Sequence, residues 1–115
     1  MRRSVERVMR GPVNLGAVLA SLNEPWRPVD VTEVNETVVR MARLEGAFPW
    51  HHHAEDELFL CWKGRFVVEV EGGEPLSLTP GDLLVVPRGV RHRPVAPDVA
   101  FAVLLERPET LQYGN

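Results

Sequence analysis

The stretch FPWHHHAEDELFLCWKG, residues 48–64, places three of the chain's four histidines consecutively, just ahead of an acidic cluster and an apolar run. On extended backbone successive side chains take opposite faces, so His51 and His53 share one face and His52 takes the other. Two imidazoles on one face can hold one metal ion, and a third ligand must then arrive across a turn. Of the acids Glu55, Asp56 and Glu57, the last opens the run ELFLCWK and shares a face with Phe59 and Cys61, whereas Glu55 and Asp56 belong to the turn and are expected to face water. His92, in VPRGVRHRPV, follows a turn and can reach the same point from an adjacent strand. Three imidazoles and one carboxylate suit a borderline divalent ion and, in an octahedral site, leave two positions for water or substrate, the openness that metal-assisted chemistry needs. Each signal has a plainer alternative. A histidine run can be a solvated loop, an acidic triplet a solvated turn, and His92, flanked by Arg91 and Arg93, a polar residue on a basic turn. A tag remnant would sit at a terminus, and this run is internal.

The elements that must position these residues are short. The segment NLGAVLASLN spaces Leu15, Val18, Leu19 and Leu22 at i, i+3, i+4 and i+7 behind Asn14, which predicts a short amphipathic helix with an asparagine N-cap. From Pro25 onward, runs rich in Val, Leu and Phe alternate with turn residues: PVDVTEV, ETVVRMARL, the region around AFPWHHH, ELFLCWK, RFVVEVE, PLSL, DLLVVP, RHRPV and VAFAVLLE. Eight or nine strands with tight turns and no long helix between them predict an all-β antiparallel sandwich or barrel. Pro87, Pro94 and Pro97 are expected at strand ends, where a missing N–H does least harm. The first dozen residues read as an arm or an added strand.

Composition narrows the function classes. At 115 residues with 44% hydrophobic side chains, the chain supports one domain with a real core. A net charge of −3 and no stripe of Lys and Arg argue against nucleic acid as partner. No apolar run reaches membrane-spanning length, and the N-terminal stretch lacks the apolar segment of a signal peptide. The single cysteine, Cys61, excludes an internal disulfide, which fits a cytoplasmic location and equally a short secreted protein without disulfides.

Together the histidines and the carboxylate resemble the two motifs of the cupin superfamily. In the first, G-x5-H-x-H-x3,4-E-x6-G, this chain offers Gly46, His51, His53, Glu57 and Gly64, with the first gap one residue shorter. In the second, G-x5-P-x-G-x2-H-x3-N, it offers Gly81, Pro87, Gly89 and His92 at the family's spacings, with Ala96 where the family has Asn. The stretch FPWHHHAEDELFLCWKGRF also looks like small cupins of the mannose-6-phosphate isomerase-like type. The resemblance implies a jelly-roll β-barrel over residues 28–106, after an arm and short helix at 1–27 and before a tail at 107–115 that carries Tyr113, to which no role is assigned. It also implies metal ligation by His51, His53, Glu57 and His92, with iron, manganese, nickel or zinc as the ion, and a small-molecule ligand in the barrel of a homodimer.

For the pocket, the expected lining is Phe59 and Cys61 with one face of RFVVEVE. Arg40, which shares a face with Val38, Ala42 and Leu44, is a candidate to point inward, although an outward salt-bridged position is favoured because Arg is rarely buried. Trp26 and Trp62 are candidates either for a dimer interface or for packing within the barrel. Three function classes follow: an oxygenase- or isomerase-like enzyme acting on a small organic substrate, a non-catalytic binding or sensing module with a structural or vestigial metal site, and a structural protein in which the metal only pins the strands. A phosphate-handling reaction is disfavoured, because few cations are expected to face inward.

Overall fold

The computed structural model describes residues 9–115, so the expectation for the first residues of the arm falls mostly outside the described part. Its elements are α1 (Leu15–Ala20), β1 (Val29–Val34), β2 (Thr37–Ala47), β3 (Glu57–Lys63), β4 (Phe66–Val70), β5 (Leu76–Leu78), β6 (Leu83–Val86) and β7 (His92–Glu106). All strand pairs are antiparallel, in the order β1-β2-β7-β3-β6, with β4 joining β7 and β5 joining β4. This is an all-β jelly roll with one short helix.

The seven strands correct the expected eight or nine in two places. The AFPWHHH region forms a single bridge, His51 to His92, instead of a strand. RHRPV and VAFAVLLE are one strand, β7, because the intervening APD does not reverse the chain. Between the pairs Leu44↔Ala100 and Gly46↔Ala96, Glu45 alone on β2 faces Pro97, Asp98 and Val99 on β7. That bulge takes Pro97 out of the ladder, where its missing N–H costs nothing. Pro94, also inside β7, keeps its carbonyl in use by accepting from the Phe48 N–H at 3.0 Å. The long strand can thus pair with β4 through its first residues, with β3 through its last, and with β2 on both sides of the bulge.

Alternation along these strands builds two apolar layers. Inside the barrel pack Ala42, Leu44, Phe59, Cys61, Phe66, Val68, Leu78, Val86, Ala96, Ala100, Ala102 and Leu104. On the outer face Met41, Phe101 and Val103 meet Leu15, Val18, Leu19 and Leu22 of the helical segment. The helix forms as its spacing predicts, with the Asn14 side chain accepting from the Ala17 N–H at 2.9 Å. At the β3–β4 turn, Gly64 has φ +80°, and a Cβ there would lie 2.8 Å from the Val99 carbonyl oxygen. Only glycine allows this turn to close against β7.

Candidate metal centre

His51, His53, Glu57 and His92 come together inside the barrel, one potential ligand atom from each lying within 4.8 Å of every other. All four are buried, with His92 only 1% exposed. Glu57 opens β3 and His92 opens β7, while His51 and His53 come from the loop between β2 and β3. Even without a strand here, His51 and His53 are buried and His52 is exposed, as extended backbone requires. Two backbone hydrogen bonds with His92, at 3.0 and 2.8 Å, set the His51 backbone. The Gly89 N–H donates to the His53 carbonyl at 2.9 Å, so the turn after Pro87 grips the histidine loop. Gly89 has φ +81°, a conformation that favours glycine. Asp56 is exposed and accepts from the Arg88 N–H at 2.9 Å, tying the two loops together. Glu55, expected to face water, is instead half-buried.

The hydrogen bonds around the imidazoles decide what the group can accept. His51 Nδ1 lies 2.8 Å from the Pro49 carbonyl and His92 Nδ1 2.8 Å from the Val90 carbonyl. A carbonyl only accepts, so in each ring Nδ1 carries the hydrogen and the neutral ring presents an Nε2 lone pair. His92 Nε2 lies 3.3 Å from Glu57 Oε1. Two acceptors then face each other, and a proton or a cation must sit between them. His53 Nε2 is also 3.3 Å from Glu57 Oε1, yet neither of its ring nitrogens has a hydrogen-bond partner. Buried polar atoms are rarely left unpaired. The inward lone pairs of His51 and His92, the incompletely paired His53 ring and the Glu57 carboxylate together fit a metal ion, which this buried group could hold.

Residues 37–106 match the Cupin domain family, a span that includes all four of these side chains. The chain belongs to the cupin family. Over 81 residues this cupin is 35% identical to the uncharacterized protein YdbB of Bacillus subtilis (strain 168), covering 70% of this chain and 72% of that one. It is also 37% identical over 67 residues to an acireductone dioxygenase of Gluconacetobacter diazotrophicus, covering 55% of this chain but only 37% of the dioxygenase. Among solved structures, a cupin-2 domain containing protein from Shewanella frigidimarina superposes with a TM-score of 0.80 at 28% identity, covering 83% of this chain and 93% of the other.

The charge balance of this cupin extends beyond the four residues. Burial alone would raise Glu57, but contacts with His53 and His92 hold it well below the ordinary carboxylate range. Burial opposes a charged His53, yet Glu57 carries that imidazole upward. Burial lowers His51, with the Pro49 hydrogen bond opposing. Beside Glu57 stands a second acid, Glu106, which burial and the Glu57 carboxylate push up to about 7.

Glu106 was not singled out from the sequence, although the signal was there. Ala100, Ala102 and Leu104 alternate into the barrel, and the same period of two continues to Glu106. The expectation for Arg40 is correct about its salt bridges and incomplete about its direction. Its guanidinium donates to Asp30 at 2.8 Å, to Glu106, and to the Pro108 carbonyl at 3.1 Å, and it lines the cavity beside the site.

That cavity, about 60 Å³, is bounded by β2, β3, β7 and the segment around Trp26; Phe66 and Val68 of β4 are packed into the core and do not line it, and neither does Cys61. Cys61 is a buried thiol, raised by burial, and behaves as a small hydrophobe. Trp26 packs within the barrel, its ring 4.9 Å from Phe48 and its Nε1 donating to the Glu45 carbonyl at 2.9 Å. Trp62 stays 41% exposed. The C-terminal tail folds onto the histidine loop. The Asn115 N–H donates to the His52 carbonyl at 2.9 Å, its side-chain oxygen accepts from Ala54 at 2.8 Å, and Tyr113 stacks on Phe48 with ring centres 4.9 Å apart.

Proposed function

We propose that this cupin is a mononuclear metal protein, with His51, His53, Glu57 and His92 as ligands, that acts on a small organic substrate in an oxygenase- or isomerase-like reaction. The observation that carries the reading is the convergence of four buried ligand atoms within 4.8 Å, with the inward lone pairs of His51 and His92 beside the Glu57 carboxylate. Iron, manganese, nickel and zinc all suit such a set. When bound, the metal supplies Lewis acidity and, where it is redox-active, a means of engaging dioxygen.

The chain's own residues do the rest. Pro49 and Val90 hold the His51 and His92 rings by their Nδ1–H groups, aiming Nε2 into the site. Phe48, Phe59, Leu44 and Leu104 give the cavity apolar walls that exclude water. Arg40 is the one cation lining that cavity, and its hydrogen bonds are already committed to Asp30, Glu106 and Pro108. A phosphate group would find no free cation there. We therefore rank oxygenase-like chemistry ahead of a phosphosugar isomerisation of the mannose-6-phosphate isomerase-like kind. The identity with an acireductone dioxygenase over 67 residues points the same way.

Two further readings accompany this one. A homodimer would cover the outer face of β3 and β6, where Trp62, Leu83 and Val85 are 41%, 63% and 47% exposed. Among the described residues no helix is long and apolar enough to cross a membrane, and the free buried Cys61 suits a cytoplasmic location.

The test is dioxygen uptake and product formation by iron-, manganese- and nickel-loaded protein offered small hydroxy-carbonyl compounds. Turnover lost in His92→Ala supports the enzyme. Tight binding without turnover by any metal form assigns the protein to the sensing or binding class instead.

A further inference from the structure

Glu106 is the one buried acid in the cavity for which neither the ligand set nor the fold gives a full account. Its side chain is only 6% exposed. One carboxylate oxygen, Oε2, is taken by Arg40, whereas Oε1 is buried with no N–H to accept from; the Glu57 carboxylate beside it can share a proton with Glu106 but, once both are ionised, offers it no donor. The residue lines the same cavity as His51 and Glu57, among Phe48, Phe59, Leu44 and Leu104. An acceptor left unpaired in such surroundings costs about 1–3 kcal/mol. A strand end this close to the surface could have placed the oxygen in water, and it does not.

We propose that Glu106 is a specificity-determining residue: its Oε1 accepts a hydrogen bond from a hydroxyl of the substrate, which selects small, otherwise apolar hydroxy-carbonyl or enol compounds over their ethers and over carboxylates. This rests on the metal-site reading above for the placement of the carbonyl oxygen, and on Glu106 alone for the hydroxyl. Carboxylates are disfavoured because the only cation at the cavity is already paired with Glu106 and Asp30. Size fits the class. A cavity of about 60 Å³ takes roughly four to six water-sized groups at about 10–15 Å³ each.

Arg40 makes the proposal testable by a single atom. A guanidinium has donors and no acceptor. In Glu106→Gln the amide oxygen must therefore turn to Arg40, and the amide NH2 takes the place of Oε1. The cavity position changes from acceptor to donor with little change in volume.

The probes are hydroxyacetone and methoxyacetone, which share the carbonyl and differ by one O–H donor. Binding is followed by ligand-observed NMR titration at pH 8 on zinc-loaded and metal-free protein, with metal content and melting temperature measured on the same samples. The wild type is expected to bind hydroxyacetone about tenfold more tightly than methoxyacetone. In Glu106→Gln the preference is expected to fall within twofold or to invert, with zinc content retained and the melting temperature not lowered. Equal affinities in the wild type, or a preference that survives in Glu106→Gln, would overturn the proposal. A wild type that keeps the hydroxyl preference but takes up no zinc would support Glu106 and overturn the metal reading instead.

Discussion

The two ends of the barrel are built from the same strands and are almost equally hidden from water, yet they are opposite in chemistry. At one end Cys61, Phe66, Val68, Ala96, Ala100 and Ala102 are each no more than 1% exposed and form a hydrocarbon core that is complete without a ligand. At the other, β7 delivers His92 and Glu106 from its two termini, β3 delivers Glu57 from its first residue, and β2 delivers Arg40. There the unpaired atoms accumulate: both ring nitrogens of His53 and Oε1 of Glu106. Burial is common to the two ends, so it cannot be what marks the functional one. The mark is several incompletely paired buried groups gathered around one point, which something from outside can complete; Arg43 Nε and Thr110 Oγ1 are unpaired only as single atoms.

Substitutions can break that contrast from either side. Phe66→Ala, at the hydrocarbon end, is expected to cost about 3–5 kcal/mol of unfolding free energy while leaving metal per folded molecule unchanged. Denaturant titration with elemental analysis checks both halves. Arg40→Met, at the polar end, removes the cation that compensates Glu106 and is expected to cost about 1–3 kcal/mol. That loss should be greater at pH 8 than at pH 5, because losing Arg40 raises Glu106 further and the added penalty appears only above about 7, where the wild-type folded carboxyl has ionised and the variant's has not.

A finer test uses the pH dependence of metal-free protein. Glu106 sits at about 7 when folded, against an ordinary value of 4.5. Between those values the folded chain holds a proton that the unfolded chain has lost, so this residue makes stability fall as pH rises from 4.5 to 7. Glu106→Gln should flatten the melting temperature over that interval relative to wild type, and an unchanged slope would mean that Glu106 does not titrate there. The smallest effect is expected at His52→Ala. The side chain is exposed between two buried neighbours, so the change should stay within about 0.5 kcal/mol and leave metal content as it was.

Much of this contrast was legible in the sequence, for reasons that can be stated residue by residue. The alternation of His51, His52 and His53 survives because a single bridge to His92 is enough to orient extended backbone, even where no strand forms. The helix was legible because its spacing and the Asn14 cap are local properties. The course of β7 was not. Pro97 and Asp98 carry a turn signature, and only the pairing with β2, which absorbs them as a bulge opposite Glu45, shows that the strand continues. Glu106 was within reach of the same alternation, since it ends the run VAFAVLLE in step with Ala100, Ala102 and Leu104, but a charged residue at a strand end reads as solvent-facing until the fold buries it. The cavity wall was misjudged because β4 packs into the core and leaves the lining to β2, β7 and Trp26, a division set by tertiary packing.

The most direct test of the central claim is the metal content of tag-free protein, never exposed to a metal column, beside His92→Ala prepared in parallel, each at pH 8 and at pH 5. Near-stoichiometric metal in the wild type at pH 8, lost in His92→Ala and released on acidification because ligating imidazoles must be neutral, is the result this account predicts. Equal traces of metal in both proteins, or full occupancy retained well below the imidazole range, would contradict it.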